Sequence, residues 1–154
     1  MHDRDRRRPD ATAVEVVGGQ PPLTLGLREH DPGWAEAFLA HRQSILEAVG
    51  DAALAVEHIG STSVPGLAAK PIVDVVLVVA DITAEEDHVA RLVGAGYELR
   101  VREPGHRLVR TPARDVHVHV YEDGDAAVEA YLLLRDRLRA DPADRELYER
   151  RSGS

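Results

Sequence analysis

Apolar and polar positions change their period several times along this chain, and each change marks an element. Asp31-Pro32 is a helix-start signal, with Asp as N-cap and Pro at the first helical position. Trp34, Phe38, Ile45, Leu46 and Val49 then recur at helical spacing until Gly50 closes the run. Leu54–Ile59 and Ile72–Val79 are apolar and rich in β-branched residues, which predicts two buried strands. Thr83-Ala84-Glu85-Glu86 has capping-box spacing and predicts a helix through Val93, ended by Gly94 or Gly96. Strand-like runs follow near Tyr97–Arg102, Arg107–Thr111 and Asp115–Tyr121. A helix is predicted from about Asp125 to Ala140, carrying Val128, Tyr131, Leu132, Leu134 or Arg135, and Leu138 along a face. Asp141-Pro142 repeats the start signal for a last short helix, and Leu23–Leu27 alternates as a short edge strand. The sum is an α+β fold, a mixed β-sheet with helices packed against it.

Residues 1–22 end in Gly18-Gly19-Gln20-Pro21-Pro22 and read as a flexible N-terminal tail, leaving residues 23–151 as a single domain. At 154 residues and 44% hydrophobic, the chain can bury a real core. No apolar run approaches the roughly 18–20 residues of a membrane span. Met1–Pro9 has charges but no apolar segment behind them, and the chain has no cysteine, so the expected location is the cytoplasm. A formal charge of −8 argues against a general nucleic-acid binder. The arginines of the first eight residues read as a charged tail rather than a nucleic-acid arm.

Positive charge is otherwise written in arginine: of 19 Lys plus Arg, Lys70 is the one lysine. It lies just after the turn Gly60-Ser61-Thr62-Ser63, where three hydroxyls sit beside backbone N–H groups. Such a turn suits phosphate binding if a helix begins there, and suits simple helix capping equally well. Asp74 sharpens the case. A carboxylate within a buried strand is costly unless it meets a metal, a cation or several donors, and Lys70 is one candidate partner.

Asp115-Val116-His117-Val118-His119-Val120 alternates strictly, which places Asp115, His117 and His119 on one face. Two histidines at i, i+2 can aim at one metal or one phosphate, or simply face solvent. His58, beside the Gly60 turn, can complete a three-histidine set or serve as a hydrogen-bonded core residue. Arg135 on the late helix can reach a phosphate or belong to a solvated face with Asp136 and Arg139. Arg107 and Arg110 are weaker candidates of the same kind.

The segment Glu57-His58-Ile59-Gly60-Ser61-Thr62-Ser63-Val64-Pro65-Gly66-Leu67-Ala68-Ala69-Lys70-Pro71-Ile72-Val73-Asp74 resembles the signature of the GrpB family (UPF0157). Asp31-Pro32-Gly33-Trp34…Phe38, the His117-Val118-His119-Val120 strand and Leu134-Arg135-Asp136…Leu138-Arg139…Asp141-Pro142 are similar to its pattern, over about residues 23–150. The resemblance implies a nucleotidyltransferase-like core, in which a Gly-Ser turn precedes a strand bearing two carboxylates one residue apart. Those carboxylates, with a third from a later strand, hold two divalent ions for nucleotidyl transfer.

Here Gly60-Ser61 matches the turn and Asp74 the first carboxylate, while the second position is Val76. The expectation is a nucleotide or other phosphorylated small molecule bound with Mg²⁺ or another divalent metal. Asp74 and Lys70 would be the catalytic pair, Gly60, Ser61, Thr62, Ser63 and Arg135 the phosphate contacts, and Asp74, His117, His119 and His58 the metal ligands. Two alternatives stand beside it: a histidine-based metal site, which favours Zn²⁺, and a non-catalytic nucleotide- or anion-binding domain.

Overall fold

The computed structural model describes residues 9–18 and 25–152. The Arg-rich first eight residues, the Gly19–Pro22 stretch and the first part of the expected Leu23–Leu27 strand lie outside them. In chain order the elements are β1 (Glu15–Val16), α1 (Gly33–Val49), β2 (Ala55–Ile59), β3 (Val73–Val79), α2 (Val89–Gly94), β4 (Glu98–Glu103), β5 (His106–Arg110), β6 (Val116–Glu122), α3 (Ala126–Ala140) and α4 (Pro142–Ser152). The strands form one six-stranded sheet in the order β1-β4-β5-β6-β3-β2. The β3–β6 pair is parallel and every other neighbouring pair antiparallel, so the sheet is mixed and the fold α+β.

The apolar run of β3 is explained by its position, since it is flanked on both edges and covered on both faces. Val73, Val75, Leu77 and Val79 point to one face, where they pack with Trp34, Ile45 and Val49 of α1, with Val89 and Leu92 of α2, and with Val116, Val118 and Val120 of β6. Trp34 is therefore a core residue. Val76 and Val78 point the other way and pack with Ile59, Tyr121 and the α3 residues Ala127, Val128, Tyr131 and Leu132. α3 covers only part of this second face. It leaves open the end where β3 and β6 begin, and Asp74 and His117 stand there.

Four local expectations need correction. Residues 9–18 belong to the fold instead of trailing from it: β1 pairs with β4, and Asp10 contacts Arg107 at 2.6 Å. Leu25–Leu27 is not strand, although Arg28 makes an isolated bridge with Ala69. α1 begins at Gly33 with Pro32 as its N-cap, one residue later than the sequence signal; Asp31 still serves the start by accepting from the Gly33 N–H at 2.8 Å. The Thr83 box does not open a long helix. Thr83 donates its hydroxyl and its N–H to Asp81 at 2.6 and 2.9 Å, a 3-10 turn occupies Glu85–Asp87, and the helix is reduced to Val89–Gly94. The local Asx-type bonds outcompeted the capping box. Among the described residues, no helix is long and apolar enough to cross a membrane.

Candidate metal centre

The parallel register of β3 and β6 builds the site. Asp74 pairs with His117, Val76 with His119, and all four side chains share the face that α3 partly covers. Sequence alternation along β6 puts both imidazoles on that face, and the strand pairing brings them to Asp74. His119 Nε2 lies 3.3 Å from Asp74 Oδ1 and His117 Nδ1 lies 3.9 Å from the same oxygen. One ligand atom from each of the three residues falls within 4.8 Å of the others, close enough for the three to share one ion. All three are half-buried, so the set opens toward solvent on one side.

That opening is a cavity of about 370 Å³ lined by Leu27, Ser61, Lys70, Ile72, Asp74 and His117. Lys70 is exposed at its wall, and among the described residues no carboxylate forms an ion pair with it. The expected Lys70–Asp74 pair is thus absent from the described ion pairs. Burial pushes the pKa of His117 below its ordinary value; Asp74 opposes this, while His119 and Arg110 add to it. A neutral imidazole beside a carboxylate is the form a metal requires.

The Gly60 turn passes close to Asp74, and the missing Cβ leaves room for its carboxylate. Gly60 has φ +75°, and a Cβ there would stand 2.9 Å from Asp74 Oδ2. The following Ser61–Ser63 segment is a single 3-10 turn, not the start of a longer helix. Its hydroxyls have distinct fates. Ser63 bonds to the Gly60 carbonyl at 2.5 Å, Thr62 meets His58 Nε2 at 3.0 Å, and both are buried. Ser61 alone lines the cavity, with a long 3.5 Å contact to the Tyr148 hydroxyl. Of the four expected phosphate contacts in the turn, Ser61 is therefore the side chain that faces the site.

His58 does not join the metal set. It pairs with Val75 on β3 and so points to the α1 face, opposite Asp74. Its ring stacks on Phe38 with centroids 4.9 Å apart. Burial first, then Arg139, lowers its pKa to about 4, although Asp74 pulls the other way. Arg135 is likewise committed elsewhere: it donates to Glu57 at 3.0 Å, Asp136 at 2.9 Å and the His58 carbonyl at 3.2 Å, tying α3 to β2.

Arg107 is buried on the α1 and α2 face, where it bonds Glu85 at 2.7 Å and Asp10. Hydrogen bonds from Arg102 and then Arg107 hold Glu85 down to about 2, against its burial. Asp115 sits in the turn before β6, accepting from Thr111 Oγ1 at 2.5 Å, and does not complete the set. Val76, at the expected second carboxylate, is fully buried.

Two residues that sequence reasoning missed stand beside His119. His106 Nε2 is 3.1 Å from His119 Nδ1, and His106 Nδ1 is 2.6 Å from Glu103 Oε1. The signal that could have found them is the short Pro104-Gly105 link between β4 and β5. Folding that hairpin onto β6 puts His106 opposite Tyr121 and Leu108 opposite His119.

The GrpB protein family model matches residues 24–151. A UPF0157 protein of Streptomyces coelicolor is 69% identical over 144 residues, covering 94% of this chain and 77% of that one. A protein of Mycolicibacterium paratuberculosis named dephospho-CoA kinase is 29% identical over 147 residues, covering 77% of this chain and 36% of that one. The crystal structure of the conserved protein GrpB from Enterococcus faecalis superposes with a TM-score of 0.72 at 35% identity, covering 80% of this chain and 78% of that one. A family match over most of the chain, a close relative of similar extent and a shared architecture agree, and the chain belongs to the GrpB family.

Proposed function

We propose that the protein binds a divalent metal ion at Asp74, His117 and His119 and, beside it, a phosphorylated small molecule of the nucleotide class. The observation that carries this reading is the convergence of those three donors, within 4.8 Å of one another, beside a cavity that Asp74 and His117 line together with Lys70 and Ser61. Two imidazoles and one carboxylate suit Zn²⁺, Mn²⁺ or Fe²⁺ better than Mg²⁺, which favours an oxygen shell. The donors fit such an ion in number and kind, and three protein ligands leave coordination positions for a ligand from the cavity. A bound ion supplies positive charge that polarises a phosphoryl oxygen.

Around that position, Lys70 supplies an ammonium for a phosphate and Ser61 a hydroxyl. Asp74 keeps the local charge balanced, and Gly60, with no Cβ, leaves room for its carboxylate. The buried Val76 favours a one-ion site over the two-ion arrangement of nucleotidyl transfer, because no second carboxylate stands on β3 to bridge. The relative named dephospho-CoA kinase supports the phosphate side of the reading. Whether the bound molecule is turned over depends on an acceptor that the cavity must also admit, so binding is the property to test first.

The experiment is calorimetric titration of metal-free protein with Mn²⁺ and Zn²⁺, followed by ATP with and without the ion. The expected result is one ion per chain, lost in Asp74→Ala. ATP should bind only in the presence of the ion, and more weakly in Lys70→Ala. A folded wild-type chain that takes up neither ion overturns the metal. Equal ATP affinity with and without the ion overturns the coupling between the two.

A further inference from the structure

The second nitrogen of His119 does not face solvent. It meets a chain of groups that runs across β6 and β5 to the end of β4. Glu103 Oε1 lies 2.6 Å from His106 Nδ1, His106 Nε2 lies 3.1 Å from His119 Nδ1, and His119 Nε2 lies 3.3 Å from Asp74 Oδ1. The His106 and His119 ring centroids are 5.4 Å apart with planes 18° from parallel. So wide a centroid separation beside so short an N···N distance means that the rings meet edge to edge, nitrogen to nitrogen. Tyr121 stacks on the His106 ring, at a centroid distance of 4.7 Å. Tyr131 of α3 lies 6.2 Å from the His119 ring.

The direction of the hydrogens follows from which atoms can donate. An ionised carboxylate only accepts, so His106 Nδ1 must carry a hydrogen for Glu103. When both rings are neutral each has one N–H, and with that hydrogen on Nδ1 the His106 Nε2 is an acceptor. His119 must then donate from Nδ1, and its Nε2 is left as a bare lone pair. That lone pair faces Asp74 Oδ1, a second acceptor, at 3.3 Å. Two acceptors in opposition repel unless a cation lies between them. Metal-bound histidines characteristically donate their other ring N–H to a carboxylate or a similar group, which fixes the tautomer and raises the basicity of the ligand nitrogen. Here that role passes through a second imidazole before it reaches the carboxylate.

We propose that Glu103 and His106 form a positioning relay that holds His119 in its Nδ1–H tautomer and aims a bare Nε2 at the cation site. The inference rests on the metal reading above and adds to it which nitrogen binds and what orients it. Neither relay residue touches the ion. Their contribution is to remove the choice between two tautomers and to fix the plane of the ring.

The test compares zinc binding to the full chain in the wild type, His106→Phe, Glu103→Gln and Asp74→Ala. His106→Phe keeps an aromatic ring against Tyr121 and removes both nitrogens. The zinc Kd is expected to rise about 10–100-fold in this variant, the range for loss of an outer-shell partner, and less in Glu103→Gln, whose amide can still accept. Long-range proton–nitrogen spectra of the zinc-loaded wild type should show His119 metallated at Nε2 and protonated at Nδ1, a signature that packing alone would not set.

If the wild type takes up no zinc, the metal reading fails and the relay with it. If the wild type binds, Asp74→Ala does not, and both relay variants bind as tightly as the wild type, the relay alone is overturned. Coordination of His119 through Nδ1 overturns the relay whatever the affinities. Should His106→Phe not fold, Glu103→Gln and the spectra decide.

Discussion

The two faces of the central sheet treat the same residue type in opposite ways. On the face packed by α1, His58 is sealed between Phe38 and Thr62. On the face that α3 only partly covers, His117 and His119 converge on Asp74 at the rim of a cavity. The difference lies in what surrounds the imidazole. A histidine whose nitrogen is matched to a hydroxyl and whose ring is stacked on an aromatic has a packing role. A histidine whose nitrogen faces a carboxylate with solvent beyond it has the placement that the proposed cation site needs. The sharpest form of this contrast lies within β3 itself, where Asp74 stands at the open end and Val76, one pleat further along the same face, is fully buried.

Adding a second carboxylate at that buried position should have the largest effect. Val76→Asp places a charge among Ile59, Val78 and Tyr121, with Glu57 in register on β2 and His119 in register on β6. An uncompensated buried charge costs about 3–5 kcal/mol, and a urea titration should show a loss of that size. A variant as stable as the wild type would mean that His119 or solvent under α3 compensates the charge, and the boundary between the two regions would have to be redrawn.

Next in size is the pH dependence that the closed face confers. His58 titrates near 4 in the folded protein against an ordinary histidine value near 6.5. The unfolded chain therefore binds the extra proton between those values. Stability is fully present above about pH 6.5 and falls as pH drops toward about 4, by up to about 3 kcal/mol. His117 and His106, also lowered mainly by burial, act in the same direction. His58→Phe should reduce the slope of stability against pH in this window by as much as one proton's worth, measured on metal-free protein. An unchanged slope would show that His58 is not sealed as its surroundings imply.

Metal affinity separates the two faces directly. Asp74→Ala should weaken the ion at least about 100-fold, which is about 2.7 kcal/mol, whereas His58→Phe should leave it unchanged within a factor of two or three. Equal losses in the two variants would join the faces into one site.

How much of this contrast could be read before folding follows from what alternation encodes. The period-2 pattern of residues 115–120 correctly puts His117 and His119 together, because they belong to one strand. The carboxylate of Asp74 in an otherwise apolar run is visible in the sequence, and the parallel register sets it beside His117. The face on which His58 lies is a different kind of information. It depends on the antiparallel register that sets His58 opposite Val75 and Ile59 opposite Asp74, and a shift of one residue would have placed it with the others. His106 was hidden for the same reason, since its neighbour across β6 is fixed by a hairpin and not by spacing. β1, two residues long, carries too little pattern to be seen at all. The Thr83 box misled because Asp81, two residues earlier, supplied the local acceptor.

The smallest predicted effect concerns Gly60, where the two faces meet at the end of β2. Its φ of +75° with ψ of −177° is a backbone region open essentially to glycine. A Cβ there would also press on Asp74 Oδ2 at 2.9 Å, closer than van der Waals contact allows. Gly60→Ala should therefore cost about 2 kcal/mol of stability, within the range for a strained backbone residue. It should also displace the carboxylate from His119 and weaken the ion, even though Asp74, His117 and His119 are all retained. The two readouts need not move together. If the chain relaxes by shifting the 3-10 turn, stability recovers and His58 loses its Thr62 partner. If the turn holds, the carboxylate moves instead and the metal affinity falls. Denaturation and metal titration of this one variant thus report which of the two faces is the stiffer, and a packed core around His58 predicts that the carboxylate is the part that gives way.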